Sequence, residues 1–296
     1  MESAALTTTA APATSVAALL RDATTELEAA GIDTARLEAE LLLAHACGWT
    51  RAMLWARLRD PVPATARDAF DEALLRRRRR EPFQYIIARQ ELWSLDFVVT
   101  PDVLIPRPET EVLIEVTLAA VRARGPAERP LTLCDVGTGS GCIAIALARE
   151  LPAATVWAID ASLAALRVAR LNAARFGVAD RIRFIGSDLL TAVPRVRVDA
   201  LVANPPYVRS ADLADAQPEL AWEPRAALDG GPSGLATIER LVRAAAAQVR
   251  PGGLLAVEIG AEQGPAAREL AVAAGWNNVT VVPDYGGRPR VLQAEA

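Results

Sequence analysis

Two short segments carry residue types whose spacing could do chemistry. The first is Asn204-Pro205-Pro206-Tyr207, directly after the apolar run at 199–203. A nitrogen conjugated to a carbonyl or an aromatic ring has a delocalised lone pair, so it attacks a methyl group poorly unless acceptors hold its N–H groups in an attacking geometry. The Asn204 side-chain oxygen can accept one N–H, and the Pro205 carbonyl, aimed by the two locked φ angles of Pro205 and Pro206, can accept the other. Neither proline offers a competing donor. Tyr207 can lay its ring on the flat face of the planar group and exclude water. A Pro-Pro pair after a strand is by itself only a turn signal, and the functional reading depends on the second segment.

That second segment is Cys134-Asp135-Val136-Gly137-Thr138-Gly139-Ser140-Gly141, which follows an apolar strand and opens a helix. Open α/β sheets bind ligands at such a turn, and alternate glycines let a ligand approach the backbone. A dinucleotide fingerprint would need its third glycine where Cys142 stands, and the Gly-Lys-Ser/Thr of a phosphate loop is absent. An acid at Asp135 suits a ligand bearing an ammonium or sulfonium and would repel phosphate. Asp160, nineteen positions after Gly141, ends the next strand where an acid takes ribose hydroxyls. Asp188, after the third strand, is placed to accept from an adenine amino group, with Leu189 beside it.

The elements that must position these residues follow from periodicity. Residues 16–80 show helical spacing only: Val16, Leu19, Leu20 and Leu27 share one face, Gly31 ends that segment, Asp33 caps a second helix with Leu37, Leu41 and Ala44 inward, Gly48 stops it, Thr50 opens a third, and Phe70, Leu74 and Leu75 point inward from a fourth. The arginines at 76–80 sit in a last helical turn, where cations complement the helix dipole and ordinarily face water. Residues 81–106 are rich in strand formers and read as a β-hairpin linking two domains. From 107 to 296 strands and helices alternate, with strands expected at 131–135, 155–160, 182–185, 199–203 and 254–259. Such a series builds a parallel sheet covered on both faces. The strands at 279–282 and 290–293 are too close for a crossover helix, so they pair antiparallel. The segment from 208 to 235, containing Trp222-Glu223-Pro224-Arg225 and Asp229-Gly230-Gly231, has little regular pattern and reads as a loop framing a substrate.

Composition narrows the chemistry. His45 is the only histidine of the 296 residues, which removes the usual zinc triads and the Ser-His and Cys-His hydrolases. Cys47, Cys134 and Cys142 lack metal-type spacing and read as buried thiols of a reducing, cytoplasmic compartment, and no metal is expected. The formal charge of −4 argues against a surface that grips nucleic acid through phosphates. No run of 18 apolar residues suggests a membrane segment, and residues 1–15 read as a flexible tail without signal-peptide character.

With these residues in place, the chain resembles the HemK/PrmC family of release factor glutamine methyltransferases. Glu81 to Ile86 and Glu91 to Leu95 resemble the family's interdomain hairpin, and Leu104-Ile105-Pro106-Arg107-Pro108-Glu109-Thr110-Glu111 its approach to the catalytic domain. Asp135 to Gly141 and Asn204 to Tyr207 match its cofactor loop and catalytic tetrad. Ala88 stands where the family usually has glycine, Leu92 where an aromatic is common, and Leu189 replaces an aromatic found in some members. The resemblance implies a class I methyltransferase fold: a Rossmann-like, mostly parallel seven-stranded sheet with an antiparallel C-terminal hairpin, preceded by a small all-α bundle that recognises the protein substrate.

It further implies that S-adenosylmethionine is held by Asp135, Gly137, Thr138, Gly139, Ser140, Gly141, Asp160, Asp188, Leu189 and Asn204. Asn204, Pro205, Pro206 and Tyr207 would bind the glutamine of a Gly-Gly-Gln motif in class I peptide chain release factors, with Asn204, Pro205 and Tyr207 catalytic. A monomer is expected. The residues alone leave open an adenine exocyclic amine in nucleic acid, which is also planar and conjugated, and a glutamine of a ribosomal protein.

Overall fold

In the computed structural model, which describes residues 14–125, 129–194 and 197–296, the chain divides into two units, 1–87 and 88–296. The tail expected over 1–15 lies outside the described residues as far as 13. Ser15 caps the first helix, its hydroxyl oxygen accepting the Ala18 N–H at 3.3 Å. The first unit holds α1 (Val16–Ala29), α2 (Ala35–Cys47), α3 (Arg51–Ala56) and α4 (Ala64–Arg78). Thr50 caps α3 by accepting from Met53, and Gly48 ends α2 in the left-handed region. Thr34, not Asp33, occupies the cap position of α2. The buried face of α2 is formed by Ala35, Ala39, Leu42 and Leu43, whereas Leu37 and, in α4, Leu75 are exposed. In α2 the leucines at 37, 41, 42 and 43 spread over more than one face, so spacing alone leaves its phase open. The small alanines settle it by allowing neighbouring helices to approach closely.

The arginine run is largely paired, although Arg78 and Arg79 remain exposed to water. Arg76 donates to Glu81 at 2.9 Å, the buried Arg77 pairs with Glu38, Arg78 reaches Glu26 at 2.9 Å, and Arg80 donates to the Ala30 carbonyl at 3.1 Å. Four of the five cations therefore tie α4 to its own unit. The strand-forming segment also begins differently from its residue preferences: α5 (Phe83–Ile86) is one helical turn, started by the fixed φ of Pro82. The hairpin itself is β1 (Arg89–Leu92) paired antiparallel with β2 (Leu95–Val98).

The second unit is built on β3 (Leu131–Val136), β4 (Ala154–Asp160), β5 (Ile182–Gly186), β6 (Val198–Ala203), β7 (Val249–Glu258), β8 (Asn277–Pro283) and β9 (Pro289–Glu295). Their order across the sheet is β5-β4-β3-β6-β7-β9-β8. The first five pair in parallel, while β9 runs antiparallel to both β7 and β8. The five residues between β8 and β9 cannot carry a crossover helix, and β9 instead inserts between β7 and β8. The helices are α6 (Thr110–Ala123), α7 (Cys142–Glu150), α8 (Leu163–Arg175), α9 (Ala236–Ala245) and α10 (Gly264–Ala273). Alternate strand residues feed two cores, Leu133, Ala200 and Ala256 into one and Cys134, Leu201 and Leu255 into the other. The hairpin packs on the first of these cores through Leu92 and Phe97. Asn172 of α8 fastens it: Oδ1 accepts the Val98 N–H at 2.8 Å and Nδ2 donates to the Val98 and Ser140 carbonyls at 3.0 and 2.9 Å.

Candidate active site

The strand order reverses between β3 and β6, and the two chemically loaded segments leave the sheet at the carboxyl ends of these neighbours. After β3, Gly137, Gly139 and Gly141 all have positive φ (76°, 55° and 83°), a region in which a side chain is strained. Gly141 is doubly constrained, because a Cβ there would come within 3.1 Å of Ala169 and Ile145. The Gly137 and Thr138 N–H groups donate to the Ile159 carbonyl at 2.8 and 2.9 Å, folding the loop onto β4. Asp160 closes the fold by accepting from the Gly139 N–H at 2.9 Å and the Ser162 N–H at 2.8 Å. Its carboxyl is half-buried, and that burial raises its pKa.

Asp135 sits differently from the ligand-facing acid its position suggests. It is fully buried beneath the loop, accepting from the Thr138 hydroxyl at 2.6 Å and the Ala144 N–H at 3.2 Å, so it braces the start of α7. Burial pushes this carboxyl up to about 7, and its second oxygen has no hydrogen-bond partner among the described residues. Thr138 and Ser140 are also buried, whereas Gly137 is exposed and Gly139 partly so. After β5, Asp188 is exposed and pairs with Arg240 at 2.6 Å, and Leu189 adopts φ 49° with its side chain partly packed on the second core.

The tetrad leaves β6 beside the glycine loop: a Cβ on Gly137 would stand 3.7 Å from the Asn204 carbonyl oxygen. Pro205 is buried, and Asn204, Pro206 and Tyr207 are partly so. The Asn204 Nδ2 donates to the Thr110 hydroxyl oxygen at 3.2 Å, Thr110 donates to Glu258 Oε2 at 2.8 Å, and the Tyr207 phenol donates to Glu258 Oε1 at 3.2 Å. Burial pushes Glu258 up to about 6 and, with the Glu258 charge alongside, lifts the Tyr207 phenol well above its ordinary range.

The segment after the tetrad returns to it. The Val208 N–H donates to Leu228 at 2.9 Å and the Gly230 N–H to Val208 at 2.8 Å. Any side chain at Gly230 would collide with the Pro206 carbonyl, and one at Gly234 with that of Tyr207. Gln263 ties the two together, its Nε2 donating to the Tyr207 and Gly234 carbonyls at 3.0 and 3.2 Å. Farther along, the buried Glu223 carboxylate accepts from the Ile105 N–H at 3.0 Å and from Arg107. The 208–235 segment is thus anchored at several points and includes the short 3-10 turns Pro218–Trp222 and Arg225–Ala227.

Thr110, Glu258, Gln263 and Glu223 did not emerge from the residue pattern as site residues. The signal for Glu258 was present: an acid inside the apolar run of β7, where an ionisable group needs partners. Taken together, the tetrad stands next to a glycine-lined turn that carries no phosphate-binding lysine.

Residues 18–87 match the family described as the PrmC N-terminal domain, and residues 126–231 match the methyltransferase small domain. The chain is 47% identical over 276 residues to the release factor glutamine methyltransferase of Moorella thermoacetica, covering 93% of this chain and 96% of that one. It is 46% identical over 276 residues, with 93% and 96% coverage, to the release factor glutamine methyltransferase of Cereibacter sphaeroides. Among solved structures, the hMettl16 catalytic domain matches with a TM-score of 0.56 at 16% identity, over 77% of this chain and 81% of that one. A methyltransferase from Pyrococcus furiosus matches with a TM-score of 0.50 at 17% identity, over 69% and 90%. These two likenesses establish the fold, and the sequence identities over nearly the whole length establish more: the chain belongs to the release factor glutamine methyltransferase family.

Proposed function

We propose that this protein transfers a methyl group from S-adenosylmethionine to the side-chain amide nitrogen of the glutamine in the Gly-Gly-Gln motif of class I peptide chain release factors. The observation that carries the reading is the placement of the Asn204 tetrad against the glycine loop, with the Gly137 Cβ position 3.7 Å from the Asn204 carbonyl. The loop's exposed backbone and the Asp160 carboxylate beside it support a nucleoside with a cationic centre, and Asp188 and Leu189, after β5, would take the adenine. When bound, S-adenosylmethionine supplies a methyl group on a sulfonium, an electrophile that requires no further activation. The chain's own residues then orient the acceptor. Asn204 Oδ1 and the Pro205 carbonyl each take one amide N–H, Pro206 stiffens the turn, and the Tyr207 ring covers the amide face. The nitrogen gains the methyl and gives up one proton to water, so no side chain with a tuned pKa is needed as base. The helical unit recognises the release factor, and the enzyme works as a cytoplasmic monomer.

The test offers tritiated S-adenosylmethionine together with release factor, duplex DNA and ribosomes in one mixture. Label in the release factor is expected; label in DNA would favour methylation of an adenine amine, and label in a ribosomal protein would favour a different glutamine substrate.

A further inference from the structure

We propose that Thr110 and Glu258 are positioning residues for methyl transfer: they orient the Asn204 side-chain amide so that its oxygen, and not its nitrogen, faces the group to be methylated. The inference rests on the reading that Asn204 Oδ1 accepts from the substrate. An asparagine side chain has almost the same shape when its amide is turned by a half-rotation, and the turn exchanges an acceptor for two donors. A turned Asn204 would aim N–H groups at the N–H groups of the substrate amide.

The hydrogen bonds behind Asn204 decide between the two orientations. A threonine hydroxyl alone would not, since it can donate or accept. Glu258 is completely buried on β7, and its ionised carboxylate can only accept. Thr110, itself buried, gives its one proton to Glu258 Oε2 at 2.8 Å, which leaves only lone pairs toward Asn204. Asn204 must therefore present Nδ2, and it does so at 3.2 Å. The other carboxylate oxygen takes the Tyr207 phenol at 3.2 Å, so one buried charge sets both the acceptor and the stacking ring.

The remaining charged groups that act on Glu258 are Arg290 on β9, which favours its ionised form, and Glu109 at the start of α6, which opposes it. Burial leaves the balance at about 6. Above that value the carboxylate is ionised and the relay holds. Below it, a protonated Glu258 donates to Thr110, Thr110 can donate to Asn204 Oδ1, and the amide loses its fixed orientation.

The experiment measures single-turnover methyl transfer to release factor at saturating cofactor, with the affinity for S-adenosylmethionine measured separately by calorimetry. Thr110→Val should slow transfer about tenfold or more, less than loss of a directly contacting group, with cofactor affinity within about twofold of the parent. Thr110→Ser, which restores the hydroxyl, should recover the rate to within about threefold. The parent rate should fall as pH drops through about 6, and Glu258→Gln should be slow and lack that limb. Asp135 also titrates near about 7, but it is retained in Glu258→Gln and so cannot account for a limb lost there.

A Thr110→Val enzyme at the parent rate, a Thr110→Ser enzyme as slow as Thr110→Val, or an unchanged acid limb in Glu258→Gln would each overturn the relay. If Thr110→Val does not fold, the serine variant and the pH profile still decide. Asn204→Ala in the same assay separates the two levels: slow transfer there beside normal transfer in Thr110→Val rejects the relay only, whereas normal transfer in Asn204→Ala rejects the reading beneath it.

Discussion

An asparagine oxygen orients a planar N–H effectively only where water is scarce and its own geometry is fixed in advance. Asn204 is partly buried, begins a proline-stiffened turn and is held through its nitrogen by Thr110. Replacing Asn204 with alanine is expected to lower single-turnover methyl transfer on the order of 100-fold without loss of the fold, as for loss of one preorganised hydrogen-bonding group. Rapid-quench measurement on the purified variant checks this, and a parent-like rate would remove Asn204 from the chemistry. The tetrad and the glycine loop are legible in the sequence because each is contiguous. Thr110 and Glu258 are 148 positions apart, and no local pattern joins them; the sheet does so by ending β7 beside the start of α6. Asp135 was visible as an acid but not as a buried one, because the same position can be read as facing the ligand or as bracing the helix behind it.

At the level of elements, Asn172 joins the hairpin to the glycine loop, since one side chain of α8 serves both β2 and the carbonyl of Ser140. Asn172→Ala leaves those buried backbone groups unpaired and should cost about 1–3 kcal/mol in urea denaturation. Faster proteolysis at 89–98 should accompany it; unchanged stability and unchanged cleavage would show that the hairpin is held by its apolar residues alone. The hairpin also shows why local preference misleads. Trp93 and Ser94 both adopt positive φ without glycine, as a two-residue turn of this kind needs. Trp93 holds the strained conformation through its N–H to Glu111 at 2.7 Å and its indole to Glu150 at 3.0 Å. Ala88 likewise has φ 54°, a conformation that favours glycine. The sheet strands were legible to within one or two residues because apolar runs have few other solutions, except that β7 starts at Val249, five residues before the expected run, since Arg250-Pro251-Gly252-Gly253 breaks the apolar pattern. The turn at 83–86 was not, since Tyr85 and Ile86 favour strands and Pro82 overrides them.

For the molecule as a whole, the presence of a helical bundle before an α/β sheet unit was legible from the change of period, while the pairing of Arg77 and Arg78 was not, because their partners Glu38 and Glu26 lie on helices distant in sequence. Among the described residues no helix is long and apolar enough to cross a membrane. The buried acids of the sheet unit give the whole molecule a characteristic response to pH. Asp135 and Glu258 have native pKa values raised from 3.8 to about 7 and from 4.5 to about 6. A raised native pKa contributes stability below the unfolded value that is lost as pH rises through the native one. Stability should therefore decline between about pH 4 and about pH 7 on account of these groups, and Asp135→Asn should flatten the upper part of that decline. Thermal unfolding across that range measures it, and an unchanged slope in the variant would show that Asp135 is not the group responsible.

On the proposed reading, the turn after β6 presents a planar amide to a methyl donor. Tandem mass spectrometry of release factor, digested after incubation with the enzyme and S-adenosylmethionine, tests it most directly. One added methyl is expected on the side-chain nitrogen of the glutamine in the Gly-Gly-Gln peptide. A methyl on another residue, or a release factor left unmodified while cofactor is consumed on another substrate, would contradict it.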